Sequence, residues 1–242
     1  MDTSGYVTLS RQTGLAREMQ NVANNIANSS TVGYRREGMV FAEHIEAVPV
    51  EGGGIALTTA RVRFTSDAQG ALEKTGGTFD LAIEGAGFML LDTAAGLRLT
   101  RAGSFGPNAQ GELVNSLGDR LLDGAEVPVI VPPDAASVAI APDGTITANG
   151  QPIGELGLVQ VSDPTTLFRE DGVRFRADGP LLPVANPNLR QGFLEASNVK
   201  PVVEIARMIE VSRAYEAGQQ LMEREDDRLR AATRLLGAIS QQ

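Results

Sequence analysis

Residues 15–28 read LAREMQNVANNIAN and predict an amphipathic helix near the start of the chain. The apolar residues of this stretch recur at spacings of four, three and four: Leu15, Met19, Val22 and Ile26. Such spacings place side chains on one face of an α-helix. Residues 28–33, NSSTVG, are poor helix formers, so we expect the helix to end near Asn28. The apolar face of this helix requires a partner surface.

A longer helical pattern occupies the other end of the chain. Its apolar positions alternate in steps of three and four residues, with Gly218 and Glu225 as weak members: Met208, Val211, Tyr215, Met222, Leu229, Ala232 and Leu236. Asn198 suits a cap and Pro201 suits the first turn, and the pattern continues to about Ser240. A helix of about 40 residues is longer than most globular helices. We therefore expect its seam to pack on a partner helix as a coiled coil.

The middle of the chain has the pattern of β-strands joined by tight turns. Alternating or short apolar runs predict strands at Phe79–Ile83, Phe88–Asp92, Arg120–Leu122, Val127–Val131, Ser137–Ala141, Gly144–Thr147 and Leu156–Val161. Pairs that favour positive φ angles lie at Asp123-Gly124, Asp143-Gly144, Asn149-Gly150, Asp171-Gly172 and Asp178-Gly179. Closely spaced hairpins of this kind indicate an antiparallel β domain.

These patterns together predict a mixed α and β fold, in which long N- and C-terminal helices form a coiled coil and a central antiparallel β domain completes the chain. We assign residues 1–30 and 198–242 to a helical assembly domain, 31–75 to an extended connector and 76–197 to the β-rich domain. The connector contains a run of three glycines at 52–54 and few long apolar runs, which favours extended or irregular structure.

Composition excludes several classes of function. With 21 basic and 30 acidic residues the formal net charge is −9, which argues against binding of nucleic acid. The absence of cysteine and the single histidine, His44, exclude a thiol nucleophile, a disulfide framework and a Ser-His-Asp triad. We expect neither a cofactor nor a metal ion. No apolar run approaches the roughly 18 to 20 residues that span a bilayer, so we expect no direct membrane insertion.

Two alternatives remain open at this point. A hydrolase that uses two carboxylates is one, with Asp119, Asp123 and Glu126 as candidates, although Asp123 already has a turn role and no substrate pocket is readable. A β-rich adhesin or binding module is the other, and it would require a folded monomer with free, ordered ends.

Three blocks of sequence resemble the bacterial flagellar rod and hook proteins. They read NVANNIANSSTVGYRR at 21–36, FDLAIEGAGF at 79–88 with TRAGSF at 100–105, and GFLEASNV at 192–199 with MIE at 208–210 and RAYE at 213–216. The blocks occur in the order of that family and cover nearly the whole chain. The short length and the opening YVTLSRQ at 6–12 most resemble the proximal-rod branch. The distal-rod branch and a hook-type axial protein are the alternatives within the family.

This resemblance implies a structural subunit rather than an enzyme. Its partners would be its own copies and other rod proteins, in a helical assembly that forms the axial drive shaft and transmits torque. The resemblance also implies synthesis in the cytoplasm, export by the flagellar type III apparatus without a Sec signal, and assembly in the periplasmic rod of the basal body. In such a rod the terminal helices would pair as an inner coiled coil, and the β domain would face outward.

The candidate site is therefore an assembly interface. An apolar stripe with no cover in its own chain gains about 25 cal/mol for each Å² that it buries against a neighbouring subunit. The predicted interface residues are Leu15, Met19, Val22, Asn25, Ile26, Asn28, Met208, Val211, Tyr215, Met222, Leu229 and Leu236. Heterologous contacts between such surfaces give a helical filament when they do not close into a ring.

Overall fold

The computed structural model describes residues 3–46 and 55–239, and within them the side chains of 3–7, 40–63, 229, 232 and 235–239 lie outside the description. The helices of the described chain are α1 (Thr3–Ala27), α2 (Pro201–Ile239) and a short 3-10 helix, η1 (Pro164–Thr166). The strands are β1 (Glu37–Glu46), β2 (Ile55–Thr65), β3 (Leu72–Lys74), β4 (Leu81–Ile83), β5 (Phe88–Thr93), β6 (Gly96–Thr100), β7 (Gly106–Pro107), β8 (Leu113–Val114), β9 (Arg120–Leu121), β10 (Val138–Ile140), β11 (Thr145–Ala148), β12 (Gln151–Glu155), β13 (Leu158–Val161), β14 (Leu167–Asp171), β15 (Arg174–Ala177), β16 (Leu181–Pro183), β17 (Leu189–Gln191) and β18 (Phe193–Glu195).

The chain divides into two compact units. The first, which we call the helix unit, comprises residues 1–27, 37–64 and 200–242 and contains α1, α2 and the pair of strands β1 and β2. The second, the β unit, comprises residues 28–36 and 65–199. Residues 31–75, which we expected to form an extended connector, thus include β1 and β2 as well as β3.

The β unit is built from antiparallel sheets. Its largest sheet follows the order β14-β15-β6-β5-β9-β8-β7, with β13 pairing with both β5 and β16. A three-stranded sheet runs β10-β11-β12, and two pairs, β17 with β4 and β18 with β3, join strands that are far apart in sequence. The last two pairs bring the segment before α2 onto the start of the β unit.

The core of the β unit lies on both faces of strand β5. Met89 and Leu91 contribute to a large apolar cluster that also contains Leu81, while Leu90 belongs to a second cluster with Phe175. Successive side chains of a strand point to opposite faces, so a strand whose residues are all apolar is covered on both sides. Strand β5 therefore explains why residues 88–91, FMLL, form a continuous apolar run.

The coiled coil that we expected was wrong. The described residues contain two α-helices, one at each end, and a mixed α and β chain whose central region is mostly β-strand, but no coiled coil. A coiled coil needs apolar residues at successive seam positions. On α2, Glu204 is buried one heptad before Val211, and farther along Tyr215 and Met222 are half-buried. The face of α2 that meets α1 is thus partly polar and lacks the continuous apolar seam of a coiled coil.

One predicted strand is also absent. Residues 127–131, VPVIV, form isolated bridges instead, through Pro128 to Leu122 and through Ile130 to Glu112. Pro128 has no backbone N–H, so this segment cannot continue a regular ladder.

Candidate assembly interface

Helices α1 and α2 pack side by side within the helix unit. Side-chain contacts that join them include Asn25 with Glu204, Glu18 with Arg207, and Gln12 with Tyr215. As residue numbers fall along α1 they rise along α2, so the two helices run antiparallel. Val22 and Val211, both from the predicted stripes, are buried at 4% and 2% exposure. Polar contacts therefore accompany a small apolar centre.

Asn25 is one of the two most buried of these polar residues, at 1% exposure, as is Glu204. Its Nδ2 donates to the carbonyl oxygen of Glu37 at 2.8 Å and to Oε2 of Glu204 at 3.2 Å. Its Oδ1 accepts from the backbone N–H of Glu37 at 3.0 Å. Both ends of the amide are used, which avoids the cost of about 1–3 kcal/mol for a buried polar group without a partner. Asn25 thereby fixes the start of β1 against both helices.

An ion pair joins the middle of the two helices. Nε of Arg207 donates to Oε1 of Glu18 at 2.7 Å, and Nη1 of Arg207 donates to Glu210 at 3.1 Å. The hydrogen bond to Glu18 raises the pKa of Arg207 above its ordinary value. This side of the helix pair is therefore charged and internally paired.

The structure places the predicted interface residues in three groups. Val22, Asn25 and Val211 are buried within the helix pair. The half-buried residues are Leu15, Met19, Ile26, Asn28, Met208, Tyr215 and Met222. Leu229 and Leu236 lie on α2, and their side chains are outside the described residues. Half-buried apolar residues retain surface that a neighbouring molecule can cover.

Some of these half-buried residues line a depression between α1 and α2, which we call the helix hollow. Its volume is about 670 Å³, and its lining includes Ala16, Met19 and Ala23 of α1 with Met208, Ser212, Tyr215 and Glu216 of α2. Alanine and serine on facing helices leave space between the backbones, and Met19, Met208 and Tyr215 give that space apolar walls. The hollow is large enough to receive side chains of another molecule.

Sequence reasoning missed a row of exposed apolar residues on α2. Val202, Ile205 and Ile209 are 81%, 48% and 48% exposed, and we call them the α2 ridge. Their spacing of three and four residues puts them on one face of the helix. The sequence shows this spacing too, but the predicted interface followed the neighbouring row of Met208, Val211 and Tyr215.

In the β unit, a buried charge cluster joins all three blocks of the family resemblance. Glu195 forms ion pairs with Nη2 of Arg35 at 3.3 Å and Nη1 of Arg101 at 3.0 Å, and all three side chains are at most 5% exposed. Burial, and then repulsion by Arg35, lower the pKa of Arg101 to about 10, while Glu195 acts in the opposite sense. The cluster thus fixes the residues near Arg35 to those near Glu195.

Two further contacts strengthen this junction. The guanidinium of Arg169 lies over the rings of both Tyr34 and Phe175, at 4.3 and 4.5 Å from their centroids. Asn198, which we expected to cap α2, instead accepts from the N–H of Arg36 and donates to a carbonyl oxygen in the β unit. Helix α2 begins three residues later, so the capping prediction was wrong.

Two of the three carboxylates proposed for a hydrolase, Asp119 and Asp123, have structural partners. Asp119 pairs with Arg174 at 3.3 Å and accepts from Asn115. Asp123 accepts from the N–H groups of Ala125 and Val127, both at 2.8 Å, and so closes a turn. These contacts account for both residues without a catalytic role.

Across residues 3–46 and 55–239, no helix is long and apolar enough to cross a membrane. The same part of the chain contains no group of three or more histidine, cysteine, aspartate or glutamate residues that could hold a metal ion.

Two family models match the chain. Residues 82–148 match the flagellar hook protein FlgE/F/G D1 domain, and residues 190–235 match the flagellar basal body rod FlgEFG protein C-terminal domain. The first match lies within the β unit, and the second covers most of α2 together with the segment that holds Glu195.

Relatives match along almost the whole length. The chain is 38% identical to the flagellar basal-body rod protein FlgF of Caulobacter vibrioides, covering 99% of this chain and 100% of the relative. It is 34% identical to FlgF of Mesorhizobium japonicum with the same coverage, and 28% identical to the flagellar basal-body rod protein FlgG of Bacillus subtilis, covering 95% and 97%.

Proposed function

We propose a structural function for this chain, starting from the fact that it belongs to the family of flagellar basal-body rod proteins. The chain is a subunit of the proximal rod, and it polymerises into the axial shaft that transmits torque. The observation that carries this proposal is the 38% identity to a FlgF protein over 99% of the chain. Identity to a FlgG protein is 28%, so the distal-rod alternative is less well supported.

The surface of the helix unit supports polymerisation. A helix face that is covered by its own fold does not expose large apolar residues, whereas Val202 of the α2 ridge is 81% exposed. Apolar surface that remains exposed beside a polar rim is typical of sites of protein association. We propose the half-buried residues predicted from sequence, together with the α2 ridge, as the interface with other subunits.

The remaining parts of the proposal follow from the rod function. The partners are other rod proteins and further copies of the chain, and the flagellar type III apparatus exports the subunit without a Sec signal. The site of assembly is the periplasmic part of the basal body. The chain performs no catalysis, and the charges of the β unit serve to hold its fold.

Basal bodies purified from the source bacterium test this proposal. We expect mass spectrometry to detect the chain in them, and we expect deletion of its gene to abolish both the rod and motility, with recovery when an intact gene is restored. Deletion of a gene for an outer filament component is the matched control, because it abolishes motility and leaves the rod in place. Complete rods in the deletion strain would contradict the proposal.

A further inference from the structure

We propose that the α2 ridge of one copy of this chain sits in the helix hollow of a second copy. The inference rests on the proposed rod function and adds to it the surfaces that meet, their register and the identity of the partner as a further copy. It concerns the helix unit alone.

The first argument is the apolar match between the two surfaces. The hollow is walled by Met19, Met208 and Tyr215, and the ridge offers Ile205 and Ile209, each 48% exposed. Methionine adapts its shape to a neighbouring side chain because it is unbranched and flexible. Branched isoleucine side chains projecting from a helix are suited to fill a depression between two other helices.

The second argument is charge complementarity. Glu216 is the charged residue among those that line the hollow, and it is exposed. Arg213 lies four residues after Ile209, on the same face of α2, and it is exposed as well. Neither forms an ion pair among the contacts of the described residues. An apolar ridge that continues into an arginine therefore meets an apolar hollow that continues into a glutamate.

These pairs fit a single register. Ser212 lines the hollow and Glu216 follows it by four residues, just as Arg213 follows Ile209. When the two α2 helices run parallel and Ile209 of one copy is level with Ser212 of the other, Arg213 is level with Glu216. One offset of three residues thus satisfies both the apolar and the ionic contact, and it corresponds to an axial shift of about 4.5 Å.

The geometry of a helix excludes the chain's own ridge as the occupant of its hollow. Ile209 and Ser212 are three residues apart on α2, so their side chains point in directions that differ by roughly 60°. The ridge cannot enter the hollow of its own chain, because α2 itself forms one wall of that hollow. A ridge and a hollow on neighbouring faces form a heterologous contact, which can be repeated from copy to copy without closing.

Site-specific crosslinking in the full-length chain tests the contact. A photo-crosslinking amino acid is placed at Ser212, basal bodies are irradiated, and the attached peptide is sequenced by mass spectrometry. We expect a peptide that contains Ile209 from a second copy. The matched control places the crosslinker at Val203, which is 56% exposed but lies on another face of α2, and should not yield that peptide. A peptide from a different protein at position 212 would overturn the inference.

Exchanging the charges of Arg213 and Glu216 provides an independent test of the contact. We expect Arg213→Glu and Glu216→Arg each to lower incorporation into the rod about fivefold, and the double variant to restore it, since exposed ion pairs are worth up to about 1 kcal/mol. Leu221→Glu, which changes charge on another exposed face of α2, is the control and should incorporate normally. Failure of the double variant to recover would contradict the pairing of Arg213 with Glu216.

The two proposals fail in different ways. If the unmodified subunit is present in rods but gives no crosslink between copies, the ridge-to-hollow contact is wrong and the rod function stands. If the unmodified subunit is missing from rods, both the proposed function and the ridge-to-hollow contact are wrong.

Discussion

Gly218 of α2 lies so close to Gln12 of α1 that a Cβ atom at position 218 would overlap Nε2 of the glutamine. That same Nε2 donates to the carbonyl oxygen of Tyr215 at 2.9 Å, and Gln12 is 5% exposed. The glycine that weakened the predicted apolar seam is therefore the residue that admits a buried glutamine between the two helices.

Gly218→Ala tests this relationship. Alanine has a higher helix propensity than glycine by about 1 kcal/mol, so helix propensity alone would make this substitution stabilise the fold. We expect the reverse, a loss of about 1–2 kcal/mol, because the new methyl group displaces the Gln12 side chain and leaves a buried polar group without its partner. Urea unfolding followed by circular dichroism at 222 nm measures the change.

The control for this prediction is the same substitution in a Gln12→Ala background. With the glutamine side chain removed there is nothing for the methyl group to displace, and Gly218→Ala should become stabilising. If the substitution has the same effect with and without Gln12, the two residues are not coupled.

Glu195→Gln should strongly destabilise the β unit. The change leaves the guanidinium groups of Arg35 and Arg101 buried beside each other without their carboxylate, and breaking a buried ion pair in this way costs about 3–5 kcal/mol. Glu84→Gln is the matched control, because Glu84 forms an ion pair with Arg190 in which both side chains are more than 40% exposed. Its effect should stay below about 1 kcal/mol. Equal losses in urea unfolding for the two variants would contradict the assignment.

Glu126→Gly should stabilise the β unit slightly. Glu126 has a φ of 62°, a left-handed conformation that costs a residue with a Cβ about 1–2 kcal/mol, whereas Gly118 with a φ of 84° occupies the equivalent place in the preceding turn. After the entropy cost of glycine, we expect a gain of about 0.5–1 kcal/mol in calorimetry.

Gly118→Ala is the reciprocal control for the turn. No atom lies within 4 Å of a Cβ at position 118, so this change reports the backbone conformation alone. It should destabilise the β unit by about 1–2 kcal/mol. A neutral result for both substitutions would show that φ at these positions has little energetic weight.

Asp163 should contribute to the loss of stability in acid. Hydrogen bonds from the backbone N–H of Thr165, at 2.8 Å, and from its hydroxyl lower the pKa of Asp163 below its ordinary value. A carboxyl group whose pKa is depressed by folding stabilises the fold above its ordinary pKa, and this contribution is lost as pH falls through the lower folded value. Acidification from pH 5 to pH 2 should therefore release it.

Asp163→Asn removes the negative charge of this side chain but keeps an oxygen that can cap η1. The amide oxygen still accepts at the start of η1 but does not titrate, so the urea midpoint should fall less between about pH 5 and about pH 2 than in the unmodified chain. Asp163→Ala removes the acceptor and should lower the midpoint at both values. An identical pH dependence in the Asn variant and the unmodified chain would contradict this role.

The patterns of the sequence were sufficient to locate the two long helices and several of the central strands. Helix α1 ends at Ala27, where the cluster of poor helix formers begins, and α2 extends to Ile239, close to the expected end at Ser240. Strand β5 falls on the apolar run that begins at Phe88. These features depend on neighbours within a few positions, which is the range over which hydrophobic periodicity and turn chemistry act. The family resemblance also depends on short blocks of neighbouring residues, so it too was visible in the sequence.

The sequence alone did not determine what each element contacts. Arg35 and Glu195 are 160 positions apart and Gln12 and Tyr215 are 203 apart, so no local pattern relates them. The seam on α2 was read as a coiled coil because its periodicity matched one, but tertiary structure buried Glu204 against Asn25 and left Ile209 exposed. Periodicity specifies which residues share a face of a helix. Which face is covered, and whether polar residues can be buried there, depends on the hydrogen-bond partners that distant parts of the chain supply.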